Sequence, residues 1–186
     1  MKNLKLKEIS PEIFYTENEI SAIGREEIEF LKDKCLQNSR QKIRICTHKG
    51  PQDRLHEMFI VHTKNAYVKP HKHMNKSESI HVIEGIVDAI VFNEEGEIKD
   101  LIKMGDYASG RVFYYRMEEG HYHTFIIRSN FLVFHETVNG PFHKSDTIFP
   151  EWAPSEDDAE ERSEYICRLK DRIEGFEMKS QQTRVF

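Results

Sequence analysis

Between Tyr67 and Gly85 the chain reads YVKPHKHMNKSESIHVIEG, which contains His71-x-His73-x4-Glu78-x6-Gly85. Imidazole nitrogen and carboxylate oxygen are deprotonated near neutral pH and are donors that divalent metals accept. In an extended strand, side chains two apart share a face, so His71 and His73 point together and Lys72 points away. Glu78 opens the next strand, and parity sends Ile80 and Val82 to its side and His81 and Ile83 to the other. A further donor follows in Glu118-Glu119-Gly120-His121-Tyr122-His123, where Gly120 permits a tight turn and His123 starts a strand. Three histidines and one glutamate leave one or two positions free on a five- or six-coordinate ion, open to water or substrate. From the chain's own residue frequencies the first motif should arise by chance about 0.003 times. The set predicts one divalent ion, with zinc, iron, nickel and manganese all compatible.

Four more residues are candidates for a substrate pocket. Arg44 interrupts an apolar strand and suits either a two-pronged clamp for carboxylate or phosphate, or a structural ion pair. Tyr67 shares parity with His71 and His73, which fits a pocket wall or a plain core tyrosine. His121 shares parity with His123 and reads as a ligand, a pocket residue or a turn residue satisfied by water. Glu136 could serve as a general base near the metal, but it lies in an apolar run whose facing the pattern leaves open. His48, His56, His62, His135 and His143 lack ligand spacing and read as surface or hydrogen-bonded core histidines.

These residues need a stiff support, and the surrounding sequence offers strands. From residue 41 to 138 short runs rich in Ile, Val, Phe and Tyr alternate with turn residues such as Gly50-Pro51, Asn93-Glu94-Glu95-Gly96 and Ser129-Asn130. Strands are predicted at Lys42–Thr47, Leu55–Thr63, Tyr67–His73, Ser79–Ile83, Ile86–Phe92, Ile98–Lys103, Val112–Arg116, Tyr122–Ile127 and Phe131–Thr137. Their regular spacing argues a mainly β, antiparallel sandwich or barrel. The pattern over 11–39 is helical, with Pro11 at a first helical position, Ser21 as a cap and Ile20, Ile28, Leu31 and Cys35 as the apolar stripe. A second helix is expected from Glu156 to Gly175, capped by Ser155, with Ile166, Leu169, Ile173 and Phe176 inward. The chain thus divides into a helical segment packed on the barrel (1–40), the barrel (41–150), and a C-terminal helix and tail (151–186).

Composition narrows the function. The net charge is −5 with no sustained basic stripe, which argues against a nucleic-acid groove. No apolar run reaches membrane-spanning length, and the start (MKNLKLKEIS) lacks a signal peptide's apolar stretch. Cys35, Cys46 and Cys167 are far apart and form no C-x-x-C pair, the pattern of reduced thiols in a cytoplasmic protein.

His71, His73, Glu78 and Gly85 resemble the first motif of the cupin superfamily, and Gly120 with His123 the second. The family's Gly before the first His, Pro before the second-motif Gly and Asn after the last His are missing; Ala66, Glu118 and Ile127 stand near or at those places. The resemblance implies an antiparallel double-stranded β-helix, or jelly-roll, barrel with flanking N- and C-terminal helices, metal ligation by the same four residues, and pairing into a homodimer. Segments Arg44–His48, Tyr67–His73, His123–Phe125, Glu136–Phe142 and Trp152–Pro154 further resemble WbuC-type cupin metalloproteins, over about residues 39 to 154. That likeness implies a carbohydrate ligand, a sugar or sugar nucleotide, in bacterial O-antigen polysaccharide biosynthesis, with the metal as Lewis acid. A non-catalytic carbohydrate-binding or regulatory module and an iron-dependent oxygenase are the alternatives.

Overall fold

The computed structural model describes residues 4–183. In chain order the strands are β1 (Leu6–Ser10), β2 (Ile13–Thr16), β3 (Lys42–Cys46), β4 (Leu55–Thr63), β5 (Lys72–His73) and β6 (Glu78–Glu84). They continue with β7 (Ile86–Phe92), β8 (Ile98–Gly105), β9 (Tyr114–Met117), β10 (Tyr122–Ile127), β11 (Phe131–Asn139) and β12 (Thr147–Ile148). Helix α1 spans Arg25–Gln37 and α2 spans Ala159–Thr183. Neither is long and apolar enough to cross a membrane.

Seven strands form one sheet in the order β1-β2-β3-β4-β11-β6-β9, and β10-β7-β8 form a second. All pairings are antiparallel except β2 with β3. The sheets face each other across one apolar core, where Met58, Ile60, Ile80, Val82 and Phe134 of the large sheet meet Val87, Ala89, Met104 and Phe125 of the small one. The result is a mainly β, largely antiparallel two-sheet barrel. Each sheet also needs its outer face covered. On the large sheet α1 does this, burying Ile28, Leu31 and Cys35 against Ile43, Ile45, Val61 and Val133. On the small sheet Tyr165, Leu169 and Ile173 of α2 pack with Ile90, Phe92, Tyr122 and Ile126.

Helical structure near the N-terminus is shorter than the periodicity predicts. Residues 6–16 are two strands, and Pro11 sits in the turn between them instead of starting a helix. Proline's fixed φ serves a turn as well as a helix start, so the local signal is degenerate. Helix α1 begins after Gly24, whose amide donates to Glu27 Oε2 at 2.8 Å, so Ser21 is not the cap. Ile20 lies outside the helix and is exposed. Helix α2 begins later than expected, with Asp158 Oδ1 accepting the Glu161 amide at 2.9 Å.

Gly85 makes the turn from β6 to β7 at φ +98°, where a Cβ would collide with the Phe131 carbonyl. The glycine of the metal-type motif is therefore a backbone requirement of the barrel.

Candidate metal centre

Three short pieces of chain bring the histidines together. His71 and His123 exchange both backbone hydrogen bonds, His71 N to His123 O at 3.1 Å and His123 N to His71 O at 2.9 Å. His73 lies on β5, opposite Thr147 of β12, and its carbonyl accepts the Gly120 amide at 2.8 Å. Gly120 adopts φ +82°, which turns the chain from β9 into β10 and delivers His123 to the site. Glu78 is the first residue of β6, flanked by Val138 on β11 and Met117 on β9.

One donor atom from each of His71, His73 and His123 lies within 4.8 Å of the others, a group that could hold a metal ion. Glu78 is only 5% exposed, with Oε1 3.3 Å from His123 Nε2 and Oε2 3.4 Å from His73 Nε2. His71 Nδ1 is 2.8 Å from the Lys69 carbonyl and His123 Nδ1 is 2.9 Å from the His121 carbonyl. A carbonyl only accepts, so both Nδ1 atoms carry the proton and both Nε2 lone pairs are free toward the centre. The Tyr115 hydroxyl donates to Glu78 Oε1 at 2.9 Å, and Thr147 Oγ1 is 3.4 Å from His73 Nδ1.

The protonation states match this role. Burial, then the neighbouring His123 and His73, hold His71 down to about 3, so its ring is neutral. Burial opposes ionisation of Glu78, yet His123 and His73 overrule it and hold the carboxyl at about 2. Burial opposes protonation of His73, yet its hydrogen bond to Glu78 and that carboxylate's charge raise it; the buried carboxylate thus draws positive charge to the centre, and a divalent cation would supply it. The donor set therefore fits a metal.

The centre forms part of the wall of a cavity of about 720 Å³ that opens along the inner face of the large sheet. Strand registers arrange that face in rows. One row is Arg44, Ile60, Phe134 and Val82; the next is Cys46, Met58, Glu136, Ile80 and Tyr115; a third contains His56, Val138, Glu78 and Met117. Glu136 therefore stands inward, between Arg44 and the metal-type cluster, and both line the cavity. Burial, then the negative charge of Glu78, raises the Glu136 carboxyl to about 7.

Two of the pocket candidates are elsewhere. Tyr67 is buried on the far side, in the α2 core, and its hydroxyl donates to the Pro154 carbonyl at 3.1 Å. The parity argument fails there because no ladder runs from Tyr67 to His71; only Lys72–His73 is strand, and Pro70 interrupts the stretch. His121 contributes its carbonyl to His123 and its ring is absent from the cavity wall. His81 is exposed, as parity predicts. Sequence reasoning assigned no role to Tyr115 or Thr147. Tyr115 carried a signal, since it alternates with Met117 on the buried side of β9. His48 and His56, stacked with centroids 4.1 Å apart, also line the cavity.

A family model described as a domain of unknown function, DUF6016, matches residues 23–104. No curated protein matches the chain. Among solved structures, protein SO0799 from Shewanella oneidensis is similar at 14% identity and TM-score 0.45, over 55% of this chain and 66% of that one. An oxalate decarboxylase from Bacillus subtilis is similar at 16% identity and TM-score 0.43, over 53% of this chain and 24% of that one. Procruciferin, an 11S globulin from Brassica napus, is similar at 16% identity and TM-score 0.41, over 51% of this chain and 22% of that one. This chain thus spans less than two thirds of each of these structures.

Proposed function

We propose that the chain binds one divalent metal ion through His71, His73, Glu78 and His123, and that the cavity beside it takes a small oxygen-bearing ligand. The observation that carries this reading is the convergence of free Nε2 atoms on a buried carboxylate at the wall of a cavity of about 720 Å³. When bound, zinc, iron, nickel or manganese would act there as a Lewis acid on a carbonyl or hydroxyl oxygen.

The chain's own residues divide the remaining work. Lys69, His121 and Tyr115 fix the orientation of three ligands through hydrogen bonds. Glu136, titrating near neutrality, is placed to hold or release a proton at its carboxylate beside the bound ligand. Ile60, Phe125 and Phe134 exclude water from part of the wall. A sugar or sugar nucleotide is the substrate that the sequence resemblance implies, in an isomerase-, epimerase- or lyase-type step. Phe142 and Phe149 at the rim, both half exposed, offer ring faces that support that reading. A binding module would use the same site without turnover.

The first test is elemental analysis of protein purified without added metal, alongside His73→Ala. The wild type should retain one divalent ion per chain. The variant should lose at least about 100-fold in affinity with an unchanged circular dichroism spectrum, because the apolar core holds the barrel without the ligand. Full occupancy in folded His73→Ala would overturn the assignment. Sugar nucleotides offered to loaded protein then separate enzyme from binding module, by product formation against saturable binding alone.

A further inference from the structure

Among the described residues, Arg44 is the cavity-lining cation held by neither an ion pair nor an aromatic ring. Lys42 Nζ is 2.8 Å from Glu156 Oε1 and 3.2 Å from the Tyr67 carbonyl. Lys76 Nζ is 3.3 Å from Asp146 Oδ2 and 2.6 Å from the Pro141 carbonyl. Lys69 Nζ lies over the Phe149 ring, 5.1 Å from its centroid. Arg44 differs. Its Nε is buried without a hydrogen-bond partner, and among the described residues it forms no ion pair. Its strand neighbours in register are Ile13 on β2 and Ile60 on β4, and the Cys46 thiol beside it is a weak acceptor.

A guanidinium cannot shed its charge, so a partly buried, unpaired one costs stability unless something else compensates. From the cavity wall it can offer two parallel N–H groups to a planar anion. We propose that Arg44 is the second anchor of the cavity, binding the carboxylate of an organic acid whose apolar body lies along Ile60, Met58 and Phe134. This rests on the metal-centre reading for the ligand's far end, which passes Glu136 to reach the His71–His73–His123 cluster, and it names an organic acid in place of the sugar or sugar nucleotide that the resemblance implies. Charge selects the head group. Lys42 and Lys76 are in ion pairs and Lys69 lies on the Phe149 ring, so the single Arg44 charge matches one negative charge and leaves a phosphate dianion uncompensated, with the Glu136 carboxyl lining the same cavity.

The test uses hexanoate, hexan-1-ol and hexyl phosphate as probes, titrated calorimetrically into EDTA-stripped and zinc-loaded full-length protein. Hexanoate should saturate one site on the stripped protein, where metal cannot hold it. Arg44→Met should weaken it by about 10–100-fold, the range for a hydrogen-bonded charge pair, and Arg44→Lys should fall between. Equal hexanoate binding in wild type and Arg44→Met, equal binding of hexan-1-ol, or a preference for hexyl phosphate would overturn the proposal. Should Arg44→Met not fold, phenylglyoxal labelling of wild-type Arg44, read by peptide mass spectrometry, decides the matter: hexanoate protects and hexan-1-ol does not, and the lack of that difference refutes the anchor. The two readings fail separately. Arg44-dependent hexanoate binding with full metal in His73→Ala removes the metal assignment alone, and the converse removes the anchor alone.

Discussion

On the outer face of the large sheet, Ile43, Ile45, Val61 and Val133 meet Ile28, Leu31 and Cys35 of α1 in a wholly apolar layer. At positions of opposite parity on the same strands, on the inner face, stand Arg44, His62 and Glu136, all lining the cavity. The strands are shared and so are their hydrogen bonds; only the side-chain parity differs. The outer layer buries hydrocarbon and returns stability at about 25 cal/mol per Å². On the inner layer, charged and titratable groups are held against apolar neighbours, an arrangement that costs stability and makes chemistry possible. Stability and function are therefore assigned to opposite faces of one sheet, and substitutions should separate them.

The largest effect falls on the outer face. Leu31 is 0% exposed, and Leu31→Ala opens a cavity between α1 and the sheet. It should lower unfolding free energy by about 2–5 kcal/mol in urea titration. Metal affinity of the folded fraction should stay within a factor of about two, because α1 touches no ligand. A parallel fall in metal affinity under conditions where the variant is fully folded would show that the faces are coupled, and would break the division.

Much of the inner face was legible because it follows the period of two. Glu78, Ile80 and Val82 all turn inward, and His81 turns out, as alternation requires. The strand limits Leu55–Thr63, Ile86–Phe92 and Tyr122–Ile127 match the observed ones because each run is closed by polar or turn-forming residues. What stayed hidden depends on pairing. Glu136 reads as part of an apolar run, and its facing emerges only from the registers that set it opposite Met58 and Ile80. Of the two readings open to Tyr67 the plain core tyrosine holds; the pocket reading carried parity through Pro70, where no ladder exists. Strands β1 and β2 were hidden by a proline that suits two different structures.

The next effect tests the inner face by pH. His62 lies opposite Lys42 on β3 and Leu132 on β11, and its Nδ1 is buried without a partner. Burial, then the charges of Lys42 and Arg44, lower it from 6.5 to about 3. Between those values the unfolded chain binds more protons than the folded one, so stability is complete above 6.5 and is lost as pH falls toward 3. From pH 7 to pH 5 this group alone should remove about 2 kcal/mol. His62→Leu, compared with wild type after EDTA treatment so that metal release adds nothing, should flatten the slope by that amount. At pH 7 it should be at least as stable as wild type, since an orphaned polar atom is removed. An unchanged slope would move the acid sensitivity of the inner face to other histidines.

The smallest effect concerns a residue that belongs to both regimes. Tyr115 contributes its ring to the barrel core and its hydroxyl to Glu78. Burial, then the Glu78 charge, drives the phenol far above 10, so it remains a donor at any working pH. It can therefore hold Oε1 in place without competing for the cation. Tyr115→Phe keeps the ring and deletes only the donor, so the core should lose no more than about 1 kcal/mol. Metal affinity should fall by about tenfold, the lower end of the range for a group that orients a ligand. Competition titration with a chelator reads the second quantity and thermal melting of stripped protein the first. A variant with unaltered metal affinity and a lower melting point would place this hydroxyl with the core, and Glu78 would then owe its position to β6 alone.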